Sequence, residues 1–230
     1  MTRVITAGLV WLLFAGSALA AEAVLEGEQL KQERLGFYYF GRGDVGSALR
    51  YLLPVAEAGH ALSQYRVGSM EEAATNFEVA EQWYQRAIKQ GVPEAAHALA
   101  GMYANGLLGP KDLPRAFELE MVAAEQGFEL SMNYVANAYA RGLGVEQNLP
   151  EAVAWYRKAA DQGSVLALKT LIRAHKREQL GFANDPVAVQ ELESKLAMAE
   201  KADNEARIAT RQADFETLRE IEKRYLNGEG

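Results

Sequence analysis

The most regular pattern along the chain is the recurrence of small, apolar and polar residues at fixed distances from a set of glycines. Four segments end in a glycine that follows a predicted helix, and the glycines are 32, 36 and 36 residues apart. A glycine directly after a helix supplies the left-handed backbone that ends it. The pattern therefore predicts repeated short helices that end at Gly59, Gly91, Gly127 and Gly163.

The polar positions predict where the second helix of each unit begins. Eleven residues before each glycine stands an alanine, and Ala188 continues this series. Four residues before each alanine stands an Asp or Asn, the residue types whose side chains best accept the free amide hydrogens of a first helical turn. The predicted N-caps are Asp44, Asn76, Asp112, Asn148 and Asn184.

A first helix precedes each cap and carries a small or apolar residue where the two helices approach each other. These residues are Gly36, Gly68, Ala100, Ala136 and Ile172. Each unit is thus a first helix (helix A), a loop, a second helix (helix B) and a glycine turn. Such a period indicates an all-α solenoid, in which units bury apolar surface by stacking. The five predicted units are 29–60, 61–92, 93–128, 129–164 and 165–200.

Residues 201–230 are predicted to form one more helix, with apolar residues such as Phe215 and Ile221 on one side and charged residues on the other. We interpret this helix as a cap that covers the last repeat, because the exposed end of a solenoid needs a polar cover. The alternative is an amphipathic segment for a partner or a membrane.

The longer loops of units three and four carry a family resemblance. Residues 136–163, ANAYARGLGVEQNLPEAVAWYRKAADQG, resemble a Sel-one-like repeat, the longer relative of the tetratricopeptide repeat. Units one and two resemble the same superfamily, and unit five keeps Asn184, Pro186 and Ala188 but lacks the final glycine turn. The resemblance implies a right-handed α-superhelix that assembles protein complexes, and it implies no enzyme activity.

The first twenty residues have the pattern of a secretory signal peptide. Arg3 precedes an uncharged, mostly apolar stretch that ends in Ala18-Leu19-Ala20. We expect cleavage after Ala20, a linker over 21–28, and location in the periplasm, with full secretion as the alternative. A cleaved chain would have no stable membrane anchor.

Composition and motifs limit the kinds of partner and functional site that the chain could have. The net charge of −7 disfavours a nucleic-acid partner, and the absence of cysteine removes thiolate nucleophiles and Cys-based metal sites. The segment 41–46, GRGDVG, matches a dinucleotide-binding motif literally, but the repeat spacing explains it as a turn between helices. The three histidines show no metal-binding spacing. We expect no cofactor, no metal and no catalytic residue.

The candidate site is a surface. Solenoids present an inner, concave face, which we expect helix A to form, and a mixture of polar and aromatic side chains there suits a protein ligand. We predict a non-enzymatic adaptor or scaffold that binds envelope proteins. The alternatives are a scaffold of an exopolysaccharide or protein export system, an inhibitor of a secreted enzyme and, least favoured, a hydrolase. The candidate partner-binding residues are Phe37, Phe40, Gln64, Arg66, His97, Asn133, Asn137 and Arg173.

Overall fold

The computed structural model describes residues 27–226, and within that range the regular elements are helices, with no β-strand. The predicted all-α architecture of successive helix pairs is confirmed. The predicted signal peptide and most of the linker lie outside the described residues. The helices are α1 (Gly27–Gly41), α2 (Val45–Glu57), α3 (Ala61–Ala73), α4 (Phe77–Lys89), α5 (Pro93–Asn105), α6 (Leu113–Glu125), α7 (Glu129–Arg141), α8 (Leu149–Asp161), α9 (Val165–Lys176) and α10 (Pro186–Ile221), which a π-helical turn extends over Glu222–Leu226.

The glycine turns have the predicted backbone. The φ angles of Gly59, Gly91, Gly127 and Gly163 are 104°, 81°, 91° and 90°, all in the left-handed region that residues with a side chain rarely adopt. Each turn separates the second helix of one unit from the first helix of the next. The four glycines therefore adopt the left-handed conformation at the positions that the spacing predicts.

Three of the five predicted N-caps accept a backbone hydrogen bond. The side chain of Asp44 accepts from the Ser47 N–H at 3.0 Å, and Asp112 and Asn148 accept from amides three residues ahead at 2.9 and 3.2 Å. Asn76 occupies the N-cap position of α4, but its side chain instead donates to Glu71 Oε2 at 2.8 Å. Asn76 therefore occupies the predicted cap position without forming the predicted side-chain bond.

The fifth unit differs from its prediction by one residue. Asp185, not Asn184, caps α10, and its carboxylate accepts from the amides of Val187 and Ala188 at 3.0 and 3.2 Å. The buried position four residues after the cap is accordingly Val189 and not Ala188. In addition, α10 runs without interruption to Ile221, so the predicted second helix of unit five and the predicted C-terminal helix are one helix.

The described chain forms two compact units. Unit 1 contains α1–α4 together with residues 207–226, and unit 2 contains α5–α9 together with residues 186–206 of α10. In unit 1 the helices of each pair approach closely at the predicted small residues. A Cβ atom on Gly68 would lie 2.8 Å from the Tyr84 ring, and one on Gly36 would overlap Leu52.

The C-terminal residues of unit 1 pack on its first helix. Ile221 is buried with Leu35 and Tyr38 of α1, and the Tyr38 hydroxyl donates to Glu222 Oε1 at 2.9 Å. This contact differs from the prediction that residues 201–230 cover the last repeat. The apolar side of the predicted helix was identified correctly, but its packing partner is α1.

In unit 2, the beginning of α10 covers the last repeat. Leu192, Leu196 and Ala199 pack against a core that α6, α7, α8 and α9 contribute. The core is built mainly of small and medium side chains, including Ala136, Ala160 and Leu168. Small residues at these positions allow the helices of neighbouring pairs to approach closely.

Candidate partner-binding surface

The eight candidate residues all lie on the first helices of their repeats, α1, α3, α5, α7 and α9. We call the outward side of these helices the helix-A surface. Its parts in unit 1 and in unit 2 are described separately, because they belong to different compact units.

Arg66 is the centre of the helix-A surface in unit 1. Its guanidinium carbon lies 5.9 Å from the ring centroid of Phe37, 5.8 Å from that of Phe40 and 5.4 Å from that of Tyr65. We call these four residues the Arg66 cluster. A guanidinium within about 6 Å of an aromatic ring is attracted by the electrons of the ring face. The cluster therefore joins α1 to α3 at a half-buried surface position.

Within the described residues, the Arg66 guanidinium has no hydrogen-bond or ion-pair partner. Its Nε atom is buried and unpaired, whereas the two Nη atoms remain open to solvent. Phe37 and Phe40 are also half-buried, since they pack against the core that contains Leu52 and Val67. The aromatic rings thus fix the arginine in place and leave its outer edge free to bind a ligand.

Arg34 is a functional candidate that the sequence analysis missed. It is half-buried on α1, and among the described residues it forms no hydrogen bond or ion pair through its side chain. Arg34 and Arg66 stand two residues before Gly36 and Gly68, respectively, so they occupy the same position in neighbouring repeats. That shared position in the repeat could have identified Arg34 as a candidate from the sequence.

Gln64 and Asn133 hold helices together instead of facing a partner. Each is only 5% exposed. Gln64 donates to the carbonyl oxygen of Ala56 at 3.1 Å and accepts from Gln90 at 2.7 Å, while Asn133 donates to the hydroxyl of Ser164 at 2.9 Å. Their assignment to the partner-binding surface is therefore wrong, because a buried amide that bonds a neighbouring helix is not accessible.

His97 is engaged by a buried acid. Its Nδ1 atom lies 3.0 and 3.1 Å from the two carboxylate oxygens of Glu120, which is 2% exposed, and 3.4 Å from the hydroxyl of Ser131. A serine–histidine–acid triad requires the serine and the acid to contact different ring nitrogens. Here one nitrogen faces both groups, so this arrangement lacks the geometry of a triad.

The helix-A surface of unit 2 is completed by Asn137, which is half-buried, and Arg173, which is exposed. Burial raises the pKa of the Tyr156 hydroxyl, and the guanidinium groups of Arg173 and Arg141 oppose that rise. Both arginines therefore lie near Tyr156. Arg141 was not among the predicted site residues. Unit 2 thus presents exposed positive charge. Two other cations of unit 2 each lie over one ring, Arg157 over Phe182 and Lys158 over Trp155, whereas Arg66 lies near three.

Unit 2 also contains a small open cavity of about 230 Å³ between α8, α9 and the beginning of α10. Leu171 and Leu192 form part of its lining, and Phe182 stacks on His175 with the ring centroids 4.0 Å apart. The cavity is part of the packing of α10 on the last repeat.

Two further features of the described residues bear on the functional class. Among residues 27–226 there is no group of three or more His, Cys, Asp or Glu side chains placed to hold a metal ion. In the same range no helix combines the length and the apolar character needed to cross a bilayer.

Comparison with protein families decides the classification. The model of the Sel1 repeat matches residues 32–60, 61–92, 93–128 and 130–164, which together make up more than half of the chain. The chain belongs to the Sel1 repeat family. The predicted fifth unit has no Sel1 match, and it is the unit in which the cap is shifted and the glycine turn is absent.

Solved Sel1 structures resemble this chain. A Sel1 repeat protein from Oxalobacter formigenes is 28% identical, with a TM-score of 0.63, over 72% of this chain and 69% of that protein. The protein c5321, a protective antigen of uropathogenic Escherichia coli strains that displays an SLR fold, is also 28% identical, with a TM-score of 0.66. That match covers 75% of this chain and 38% of the antigen. A comparison with curated proteins found no match.

Membership of the Sel1 family gives the general functional class. The Sel1 repeat fold is typically a scaffold for protein–protein interaction, and the family is generally non-catalytic.

Proposed function

We propose that this protein is a non-enzymatic adaptor of the bacterial cell envelope that binds a protein partner through the helix-A surface of α1 and α3. The observation that carries the proposal is the Arg66 cluster, in which three aromatic rings surround a guanidinium whose Nη atoms are open and unpaired within the described chain. Arginine and aromatic residues are the types most enriched at interface hot spots.

The contrast with unit 2 favours α1 and α3 as the main binding region. Two of the four candidates in unit 2, His97 and Asn133, already bond Glu120 and Ser164 within the unit. The remaining two, Asn137 and Arg173, lack a surrounding aromatic cluster among the described residues. Preorganised side chains lose less conformational entropy on binding, so the Arg66 cluster is the better anchor.

The envelope location is supported by the sequence of residues 1–20, which lie outside the described residues. A basic start, an apolar stretch and an Ala-x-Ala end are the features that a signal peptidase recognises. Cell fractionation followed by N-terminal sequencing tests this part of the proposal. We expect the chain in the periplasmic fraction with Ala21 as its first residue. A chain that keeps Met1 and stays in the cytoplasm would contradict it.

The binding surface is tested by crosslinking partners in cells that express matched charge-reversal variants. Arg66→Glu changes the centre of the Arg66 cluster, and Arg50→Glu makes the same charge change on the exposed side of α2 in the same unit. Loss of a hot spot of about 2 kcal/mol corresponds to about thirtyfold weaker binding.

We therefore expect partner capture to fall strongly for Arg66→Glu and to stay near wild type for Arg50→Glu, with both variants folded by far-UV circular dichroism. Equal capture by wild type and both variants would show that the partner binds elsewhere. Equal loss in the two variants would show a dependence on net charge and not on the Arg66 cluster.

A further inference from the structure

We infer that the partner presents acidic side chains, from an Asp- or Glu-containing peptide segment, to Arg34 and Arg66. This inference rests on the proposed function and adds the chemistry of the partner. It goes beyond a general protein-binding role because it assigns a charge and a residue type to the bound segment.

The first observation is the burial of the two arginines. Of the arginines in residues 27–226, only Arg34 and Arg66 are half-buried, whereas the others are exposed. Partial burial removes water from a guanidinium, and a charge in that position is normally compensated by an acid. No described acid of this chain compensates either of them.

Other arginines of the chain do form ion pairs with acidic residues. Arg115 bonds Glu118 at 2.7 Å, and Arg42 lies 3.5 Å from Glu222. These pairs are exposed, where water already solvates the charge and an ion pair adds little. The chain has 31 acidic and 24 basic residues, so acids are not scarce. The two arginines on the helix-A surface of unit 1 are thus left for an acid from outside the chain.

The geometry of Arg66 fits a carboxylate that approaches from solvent. Its Nε atom faces the interior, so its outward donors are the hydrogens of the two Nη atoms. These parallel donors match the two oxygens of a carboxylate, and such paired bonds are shorter and stronger than neutral ones. The rings of Phe37 and Phe40 lie within 6 Å of the guanidinium and offer apolar surface beside a bound carboxylate.

Arg34 repeats this position one repeat earlier, at the same distance from its small residue. A segment that crosses α1 and α3 would therefore meet two guanidiniums in succession. The chain as a whole carries a charge of −7, which opposes an extended polyanion such as a nucleic acid. A peptide segment with one or two acids gains the local attraction without bringing a large negative charge.

The inference is tested by selecting binders from a random twelve-residue peptide library displayed on phage. The targets are the mature protein, the double variant Arg34→Gln/Arg66→Gln, and the control Arg50→Gln, whose arginine is exposed and unpaired in the same unit. We expect Asp and Glu to be enriched, next to apolar residues, in peptides selected by wild type and by the control. The double variant should lose that enrichment.

A selected peptide is then synthesised in its acidic form and with Asn or Gln at each acid, and its binding is measured by fluorescence anisotropy. Removing Arg66 or the matching acid should weaken binding by about thirtyfold. If the double variant loses its helical circular dichroism, Arg66→Lys takes its place. It keeps the charge but lacks the planar pair of donors, and should weaken binding at least several-fold.

The outcomes separate this inference from the proposed function. Peptides selected by wild type without acidic enrichment, or with the same enrichment on the double variant, would overturn the acidic-partner inference and leave an adaptor that uses other chemistry. Selection of no peptide by folded wild-type protein would count against both.

Discussion

The buried pair of Glu120 and His97 gives the sharpest prediction about stability. Glu120 lies on α6 and is 2% exposed, at the repeat position that Tyr84 and Tyr156 occupy in the neighbouring repeats. The imidazole of His97 is its close partner on α5. His97→Ala removes that partner and leaves a carboxylate in the core of unit 2, where water cannot replace the lost bond fully.

The expected magnitude follows from the burial of the two side chains. Removing one partner of a buried pair costs about 3–5 kcal/mol. The side chain of His97 is 37% exposed, against 3% for Glu120, so water can reach part of the vacated space. We therefore expect a cost somewhat below that range, about 2–3 kcal/mol, which corresponds to a melting temperature lowered by about 5–10 °C for a chain of this size.

The reverse substitution should behave differently. Glu120→Leu removes the buried charge and leaves a histidine that is exposed enough to be hydrated, so we expect little loss of stability or a small gain. The double variant His97→Ala/Glu120→Leu should recover most of the stability that His97→Ala loses. Coupling of this kind is expected of residues in direct contact.

Thermal unfolding followed by far-UV circular dichroism measures all three variants. Glu118→Ala is the matched control, because Glu118 is an exposed acid on the same helix and forms only a surface ion pair with Arg115. The reasoning is refuted if His97→Ala is no less stable than this control. It is refuted equally if Glu120→Leu costs as much as His97→Ala.

Two further predictions concern the close approach of helices at Gly68 and the buried hydroxyl of Tyr84. Gly68→Ala places a Cβ atom 2.8 Å from the Tyr84 ring and should cost about 1–3 kcal/mol in urea denaturation. Gly101→Ala, in α5, is the control, because a Cβ atom there meets no heavy atom within 4 Å. It should raise the free energy of unfolding by up to about 1 kcal/mol. Changes of the same sign in the two variants would contradict the close packing at Gly68. Burial, and then the hydrogen bond to Glu72, raise the pKa of the Tyr84 hydroxyl. The neutral hydroxyl therefore contributes stability below about pH 10 that is lost as the pH rises. Tyr84→Phe should lose less stability than wild type between about pH 8 and pH 11, and an equal loss in calorimetry would disprove this.

The ends of the helices could be predicted from the sequence because local interactions set them. A cap such as Asp44 bonds an amide three residues ahead, and Gly59 changes the direction of its own backbone. Both interactions involve only residues close together in the sequence. The four segments that match the Sel1 model begin within three residues of the first four predicted units.

The contacts between distant residues could not be predicted in this way. Glu120 and His97 are 23 residues apart, and Tyr38 and Glu222 are 184 residues apart. Their pairing depends on how helices rotate and dock, which the spacing of small residues does not specify. For the same reason Gln64 was predicted to face a partner, although the structure directs its amide to Ala56 of the preceding helix.

The position two residues before the small residue of helix A connects fold to specificity. It holds a half-buried side chain in all five predicted units, so its environment is a property of the repeat. Alanine, tyrosine and threonine occupy it in the third, fourth and fifth repeats, and each fits a half-buried site at low desolvation cost. The first and second repeats place a guanidinium there. Its desolvation cost is higher, and no acid among the described residues offsets that cost. The packing of the repeat does not require Arg34 or Arg66, since other side chains fill the same position elsewhere. Their charge is therefore best explained by binding, and this supports the proposal that an acidic partner is recognised on α1 and α3.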